Sequence, residues 1–545
     1  MRLIVPALAA ALTALPLWAQ DHVGPQLGAA SSFGQTWDPQ MLEAADRFGI
    51  HDLRDELYWK DIEVGGQIDY PTIRHSYPAL LAARGMTMTV IMNNGHPAFQ
   101  GGATPYTAEG VAAFARFSAR MPQDFPAITS VEVGNEMNSD TFTSGPMQAA
   151  DVTGRAEIYA TLIEETYKAV KAANPAVQVL GGAAHSIPLA WFEALSEAGA
   201  AKWMDRVVIH PYTTPPEQLP RQIGLLRQVP GFGSMPIEAT EFGDLNAETA
   251  AATLVKYYCA MAVSGVSRAV WYPLNTRGDG LEPLVGTDYA LTDVGEAFTM
   301  LQTRAQGLPA RDVSPDPFTY ACTFGANLMV IWGAPRAIEV DAGLTVLGPD
   351  GHETERRILS REVPLVISGE DVAVRPGETI RLGPQMVIAD TYDQFDHQGE
   401  GDGFRPFVRF AEGDEPFAFR PGQEAGGVPW VPYLASDRDG GIRMNAEFIV
   451  PTGAGAVGHR YVAQKDGPVV LDVSLAPDAQ TTDGVVLSVA VAGDEIARQV
   501  VTDATETRIG PFDMAAGDAL EVMVGAGATD GGDGSSYRFT LSRAP

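Results

Sequence analysis

The first half of the chain alternates short apolar runs with segments of helical periodicity. The segments between the runs, such as Gly154–Ala172 and Ala247–Ala262, carry apolar residues at helical spacing. Eight strands alternating with helices over about 280 residues predict a (β/α)8 TIM barrel, which typically needs about 250 residues. A doubly wound sheet is the alternative, but no G-x-G-x-x-G turn follows the first run. The eight runs are His22–Ala29, Ile50–Arg54, Met86–Met92, Ile128–Asn135, Val177–Gly182, Arg206–His210, Pro236–Phe242 and Val266–Trp271.

The pattern changes after about residue 305, where helical periodicity ends. Short runs between Gly, Pro and Asp turns then predict strands. We expect the barrel at residues 21–305, a small β-sandwich at 306–387 and a larger C-terminal β-sandwich at 388–545. The runs of the first sandwich are Phe318–Cys322, Leu328–Trp332, Ala337–Val340, Glu362–Ile367 and Glu378–Leu382. Those of the second include Val469–Val473, Gly484–Val491, Ala519–Val524 and Tyr537–Leu541.

Residues 1–20 have the pattern of a secretory signal peptide. A positive charge at Arg2 precedes a short apolar run that ends at Trp18, and the small residue Ala19 follows. Two prolines interrupt the run, which is too short for a membrane anchor, and no later run reaches about 18 apolar residues. The pattern predicts a secreted or periplasmic protein that does not insert into a membrane.

Composition narrows the class of protein further. The 545 residues are 45% hydrophobic and include 37 Lys+Arg against 68 Asp+Glu, which gives a net charge of −31. This apolar content suffices for large cores, and the acidic balance disfavours nucleic-acid binding, which requires a basic face. Only Cys259 and Cys322 are present, so a disulfide framework is excluded; a single bridge and two buried free thiols both remain open. We expect a monomer.

Two carboxylates stand at strand ends of the predicted barrel. The fourth run ends with Asn135-Glu136 and the seventh contains Thr240-Glu241. Active sites of these barrels lie at the C-terminal ends of the strands, so both carboxylates are expected at one face, across the mouth. Glycosidic cleavage requires such a pair, because one acid protonates the leaving oxygen while one carboxylate attacks or activates water.

These motifs, taken in chain order, resemble clan A of the glycoside hydrolases. Asn135-Glu136 and Thr240-Glu241-Phe242-Gly243 are similar to its fourth- and seventh-strand motifs. The region from Ile50 to Tyr70, with Arg54 and Trp59, resembles the second-strand region of family 39. Two departures occur in the fourth-strand motif, which usually reads Trp-Asn-Glu-Pro: Gly134 replaces the Trp and Met137 the Pro.

The resemblance implies roles for individual residues. Glu136 would be the acid/base and Glu241 the nucleophile of a retaining mechanism, with Arg54 steadying the nucleophile. His210-Pro211-Tyr212 resembles the aromatic partner of the nucleophile, and Trp271 resembles the platform for a sugar ring. The substrate-binding residues expected from the resemblance and from their strand-end positions are Arg54, Trp59, Asn94, His96, Asn135, His210, Tyr212 and Trp271. For the aromatic rings of Trp59, Tyr212 and Trp271, burial in the core is the alternative.

Other polar and aromatic residues have weaker assignments. Glu132 and Glu238 lie earlier in the two acidic strands and are expected to form structural ion pairs. His96 could bind substrate or stabilise its loop, and the remaining candidates for the cleft lining are His51, Asp55 and His185. Trp430 and Tyr433 are candidates for exposed sugar-binding aromatics of the last domain, with burial as the alternative.

Other chemistries have no motif in the chain, which has neither an H-E-x-x-H zinc motif nor a G-x-S-x-G nucleophile elbow. No cofactor is implied. The acidic stretches Asp390–Asp402 and Asp530–Asp533 are candidates for a structural calcium site in the last domain, although solvated turns are the simpler interpretation.

The sequence therefore predicts a secreted, retaining β-glycoside hydrolase. The expected partner is a neutral β-linked polysaccharide or oligosaccharide, and appended β-domains favour endo action on a polymer. One alternative is a catalytically silent polysaccharide-binding protein, which would lack the carboxylate pair. Another is an enzyme that processes the exopolysaccharide of its own cell.

Overall fold

The computed structural model describes residues 22–93, 95–399, 401–529 and 531–544. The predicted signal segment 1–20 and the predicted site residue Asn94 lie outside the described residues.

Eight parallel strands close into a barrel. Each strand pairs with the next along the chain, and the eighth returns to the first, where Trp271 lies opposite Ala29. The predicted (β/α)8 barrel is confirmed. Its strands are Gln26–Ala30, Asp52–Glu56, Thr87–Met92, Ile128–Val133, Gln178–His185, Arg206–His210, Ile237–Phe242 and Val266–Trp271.

The barrel's first strand is shorter than its apolar run predicted. His22–Val23 pairs with Pro309–Asp312 of a different sheet, and the barrel strand begins only at Gln26. Pro25 separates the two pieces, and a proline has no N–H to donate to a strand ladder. The run therefore serves two sheets.

A helix follows each barrel strand and packs on the outside. Several of the longer helices begin at a side chain that caps the first turn, as where Thr107 accepts from the N–H of Gly110 and Asp151 from that of Gly154. The main helices are Pro39–Arg47, Pro78–Ala83, Ala108–Asp124, Val152–Ala173, Leu189–Glu197, Leu219–Leu226, Ala247–Val263 and Asp293–Arg304. None of the described helices has the length and apolar content that a bilayer span needs.

Antiparallel sheets follow the barrel, as predicted. The first unit has a six-stranded sheet made of His22–Val23, Pro309–Asp312, Thr319–Phe324, Leu328–Gly333, Leu365–Gly369 and Leu344–Leu347, beside the pair Ile338–Val340 and Ile380–Leu382. Some of its apolar residues, including Phe324, Val330 and Val366, join the core of the barrel. The others, including Ile331 and Ile367, form a separate core within the unit.

The last unit is a two-sheet β-sandwich with its own apolar core. One sheet contains Val387–Asp390, Ala418–Arg420, Tyr433–Ala435, Arg443–Met444, Phe448–Val450, Gly467–Pro477, Thr505–Met514 and Ser535–Arg543. The other contains Arg405–Phe410, Gly413–Glu415, Ala456–Val462, Val485–Val491, Asp494–Val501 and Ala519–Ala526.

A disulfide joins Cys259 to Cys322, with the two Cα atoms 5.9 Å apart. Cys259 lies in the helix Ala247–Val263 of the barrel and Cys322 in a strand of the small sheet. The alternative of two free thiols, which the sequence left open, is thereby resolved in favour of a bridge between the barrel and the unit that follows it.

Candidate active site

The two predicted catalytic carboxylates come together at the C-terminal mouth of the barrel. One carboxylate oxygen each from Glu136 and Glu241 and one ring nitrogen of His210 lie within 4.8 Å of one another. Retaining glycosidases hold their carboxyl groups about 5–5.5 Å apart, and inverting ones about 6.5–9.5 Å. The bound of 4.8 Å applies to single oxygen atoms, and it places the two carboxylates close enough to act on one glycosidic bond.

The backbone after the fourth strand is strained where it presents Glu136. Glu136 has φ of +47°, which is uncommon for a residue with a side chain. Gly134 has φ of +90°, and a Cβ there would lie 2.3 Å from Cγ of Met137. The two departures from the Trp-Asn-Glu-Pro motif are therefore coupled, because the side chain of Met137 fills the space that a larger residue at 134 would need.

Arg54 connects the nucleophile candidate to a buried ion pair. Its Nε and Nη2 donate to both carboxylate oxygens of Glu132 at 2.7 and 2.8 Å, and its Nη1 donates to Glu241 at 2.5 Å. Nη2 also donates to Oδ1 of Asn135 at 2.9 Å. Arg54 is 1% exposed and Glu132 is fully buried, so this guanidinium is held in one orientation. The predicted structural role of Glu132 matches this geometry.

His210 lies beneath the two carboxylates. Its Nδ1 is 3.0 Å from Oε1 of Glu136, and its Nε2 is 3.0 Å from the hydroxyl oxygen of Thr240. Burial lowers the pKa of this imidazole, but Glu241, Glu132 and Glu136 outweigh burial and raise it to about 9. His210 is therefore an imidazolium at neutral pH. It is fully buried, so the prediction that it contacts substrate directly is wrong; it acts through the carboxylates.

Glu241 is held in its ionised form. Burial raises the pKa of this carboxyl, but the positive charges of His210 and Arg54 hold it below its usual range. The hydroxyl of Tyr212 donates to Oε2 of Glu241 at 3.2 Å. A nucleophilic carboxylate needs this environment, and Tyr212 and Arg54 lie where the sequence placed them.

The two tryptophans predicted to contact substrate are buried in the core. Trp271 is fully buried, packs edge-on against Phe242 and donates its Nε1–H to the carbonyl of Glu282. Trp59 is 1% exposed and stacks on Phe117, with ring centroids 5.7 Å apart. Neither ring has a free face, so the prediction that they are sugar platforms is wrong. Both rings lie in the core because they pack against apolar side chains, Phe242 for Trp271 and Phe117 for Trp59.

His96 stabilises its own loop. Its Nε2 is 2.7 Å from the carbonyl oxygen of Glu63, and its Nδ1 accepts from the N–H of Ala98 at 3.1 Å. Both ring nitrogens thus contact backbone atoms. The assignment of His96 as a substrate contact is therefore wrong, and its alternative role, to stabilise its loop, fits the structure.

Beside Glu241 the mouth opens into a cavity of about 280 Å³. Asn135, Arg54 and Glu241 form part of its wall, on the side of the first three strands and the eighth. Asn93 also lines it, at the third-strand end that the sequence predicted to face the mouth. The sequence did not single out the polar residues in the other loops, because their positions after the strands carry no motif. These residues are Ser31, Gln35, Tyr58, Tyr272 and Arg277.

The weaker candidates divide between the cleft and other sites. Asp55 borders this cavity but accepts hydrogen bonds from Ser31 and Tyr77, while His51 pairs with Asp46 outside the mouth. His185 lies beside Tyr212, with ring centroids 6.2 Å apart. Glu238 pairs with Arg206 and Arg268, in line with its predicted structural role.

The predicted calcium loops contain engaged carboxylates. Asp390 and Asp393 face Arg361 and Arg538, with Arg538 Nη2 2.7 Å from Asp393. Asp530 lies outside the described residues. Within the described ranges the one cluster with metal-ligand spacing is Glu136, His210 and Glu241, and its imidazole is already held between a carboxylate and a hydroxyl. Calcium in the last domain stays a prediction.

Solved structures share the fold. A family 39 glycoside hydrolase from Bacteroides cellulosilyticus matches 64% of this chain and 81% of its own, with a TM-score of 0.53 at 16% identity. A family 30 xylanase from Clostridium acetobutylicum matches 64% of this chain and 97% of its own, with a TM-score of 0.46 at 14% identity. A family 39 β-xylosidase from Caulobacter crescentus matches 65% of this chain and 98% of its own, with a TM-score of 0.42 at 16% identity.

The chain matches no protein-family model and no curated protein. The predicted likeness to family 39 is therefore confirmed at the level of the fold: this chain has the barrel architecture of a family 39 glycoside hydrolase, with antiparallel β-sheets after it.

Proposed function

We propose that this protein is a secreted, retaining β-glycoside hydrolase that cleaves within a neutral β-linked polysaccharide. The observation that carries the proposal is the pair Glu136 and Glu241, within 4.8 Å across the barrel mouth and joined through His210. The shared barrel architecture and the signal-like segment at residues 1–20 support it.

In the first step Glu241 attacks the anomeric carbon while Glu136 gives its proton to the leaving oxygen. The bond from carbon to the leaving oxygen breaks as the bond to Glu241 forms, so the released sugar carries the proton. In the second step Glu136 takes a proton from water, the water oxygen attacks the same carbon, and Glu241 leaves as a carboxylate. Asn135, held by Arg54, is placed to bind the 2-hydroxyl of the reacting sugar.

The positively charged neighbours differ between the two carboxyl groups. Arg54 holds Glu241 and Glu132, whereas His210 is closest to Glu136, with its Nδ1 3.0 Å from Oε1. Glu241 is therefore fixed beside a guanidinium that does not lose its proton, while Glu136 lies beside a group that can give up and take back a proton, which suits an acid/base.

The alternative of a silent polysaccharide-binding protein has less support. Binding alone does not require a strained Glu136 or a nucleophile fixed by Arg54 and Tyr212. An enzyme that processes the exopolysaccharide of its own cell would use the same site, and only the identity of the substrate separates the two uses.

The direct experiment is a screen of the purified protein against a panel of neutral β-linked polysaccharides, with products followed by mass spectrometry and NMR. We expect oligosaccharides from one β-linked polymer, with the β-anomer formed first because two displacements retain configuration. If the α-anomer formed first, the retaining mechanism would be wrong. If no member of the panel were cleaved, the binding-protein alternative would gain support.

We also expect the activity to persist into mildly alkaline solution. The His210 imidazolium holds a proton beside Glu136 until the pH reaches about 9, so kcat/KM should fall there. The pKa of His210 is raised above 6.5, so its favourable interactions are complete below pH 6.5 and disappear as the pH rises through about 9.

In His210→Asn, the alkaline limb of the pH profile should move to lower pH, because only a carboxyl group is left to hold the proton. His51→Asn is the matched control, since His51 pairs with Asp46 outside the mouth. An alkaline limb that stays in place in His210→Asn would show that His210 does not govern it.

A further inference from the structure

One loop of the C-terminal sandwich reaches the mouth of the barrel. This rim loop, Pro421–Val431, begins where the carbonyl of Pro421 accepts from the N–H of Leu189 at 2.9 Å. The loop closes on itself, because the N–H of Gln423 donates to the carbonyl of Pro429 at 2.8 Å. Gly422 has φ of +83°, and a Cβ there would lie 2.5 Å from the carbonyl oxygen of Val431. These backbone contacts therefore define the shape of the rim loop.

Gln423 locks the rim loop to the segment that carries the acid/base candidate. Its Oε1 accepts from Nδ2 of Asn138 at 2.8 Å, and its Nε2 donates to the carbonyl of Asn138 at 2.7 Å. Asn138 follows Glu136 by two residues and is 3% exposed. Gln423 itself has φ of +59°, an uncommon backbone conformation that these two hydrogen bonds hold in place.

The same loop places an aromatic ring against the end of the fifth barrel strand. Trp430 is half-buried and meets His185 edge-to-face, with ring centroids 5.2 Å apart. His185 is the ring neighbour of Tyr212, whose hydroxyl reaches Glu241. Asn138 also holds the backbone of His185, because its Oδ1 accepts from the N–H of His185 at 2.9 Å. One continuous set of contacts thus joins Trp430 to both carboxylates.

The position of Trp430 relative to the carboxylates indicates which sugar it would meet. The cavity beside Glu241 lies toward the first three strands and the eighth, so the sugar under attack belongs there. The leaving group must lie on the side of Glu136, which protonates its oxygen. That side is formed by the ends of the fourth, fifth and sixth strands, which carry Glu136, His185 and Tyr212.

We infer that the C-terminal sandwich completes the active site, and that Trp430 on its rim loop is the platform for the first sugar unit of the leaving group. This inference rests on the proposed function and names the part of the chain that selects the leaving-group side of the substrate. Half-buried indole rings suit sugar rings, because they offer a large apolar surface with little side-chain entropy to lose. The sandwich then contributes to specificity as well as to packing.

The test compares two substrates of the same sugar series. One is the oligosaccharide ladder prepared from the polysaccharide that the wild type cleaves, and the other is the β-glycosyl fluoride, whose leaving group is a single atom. In Trp430→Ala, the ratio of kcat/KM for the oligosaccharide to kcat/KM for the fluoride should fall about tenfold, as expected for the loss of one aromatic contact. Trp430→Phe should restore most of the ratio.

Trp203→Ala is the matched control, because Trp203 is a half-buried indole away from the mouth that packs against Lys168. Its ratio should equal that of the wild type. If Trp430→Ala lowered both kcat/KM values equally, or changed neither, the inference would be wrong while the proposed function stood. Failure of the wild type to cleave any glycoside would overturn the proposed function, and the inference with it.

Discussion

Replacement of Glu241 by Gln is expected to abolish the glycosyl-enzyme and to lower kcat/KM by at least about 10⁴-fold on every substrate. The amide keeps the volume and can still meet Tyr212, but it cannot attack the anomeric carbon. Intact-protein mass spectrometry with a slow 2-fluoro glycoside checks the result directly, since the wild type should gain the mass of one glycosyl unit and Glu241→Gln should not.

The acid/base variant should behave differently. Glu136→Ala should lose about 10²–10⁴-fold on substrates with poor leaving groups and much less on activated aryl glycosides, which need little protonation. Azide should partly restore it by attacking the trapped glycosyl-enzyme, because the base for water is missing. Glu238→Gln is the control, since Glu238 lies in the same strand as Glu241 but pairs with Arg268. Normal turnover of an activated glycoside by Glu241→Gln would refute the assignment of the nucleophile.

Removal of Arg54 is expected to damage both stability and catalysis. Arg54→Met would leave Glu132, which is fully buried, without its cation, and breaking a buried ion pair in this way costs about 3–5 kcal/mol. Burial raises the pKa of Glu132, but Arg54 outweighs burial and lowers it to about 2. The stabilising contribution in the wild type is therefore present above pH 4.5 and is lost as the pH falls through about 2.

Urea denaturation at neutral pH measures the loss, and the deficit of Arg54→Met should shrink in the double variant with Glu132→Gln. Arg268→Met is a matched control, because Arg268 is equally enclosed between Asp52 and Glu238 but away from the mouth. It should lose similar stability and keep its activity when folded. An Arg54→Met protein with normal stability and turnover would contradict the role assigned to this guanidinium.

The parts of the site that the sequence predicted correctly follow from strand ends. Glu136 and Glu241 close two parallel strands, and parallel strands of a barrel bring their C-terminal ends to one face whatever the loops do. Arg54 and Tyr212 were predicted from the resemblance to clan A, and the structure places both beside Glu241. The two tryptophans were predicted wrongly, because Trp59 and Trp271 are as compatible with a core as with a sugar platform, and only packing decides which.

The sequence by itself determined the barrel, the β-sheets after it and the pair of carboxylates, because the spacing of apolar residues and the order of strand ends are local properties that survive any detail of packing. The tertiary structure alone decided the pairing of Cys259 with Cys322, the buried imidazolium of His210 between acids from different strands, and the arrival of Gln423 and Trp430 at the mouth. Each of these depends on contacts between residues far apart in the chain, whose distances no local pattern contains.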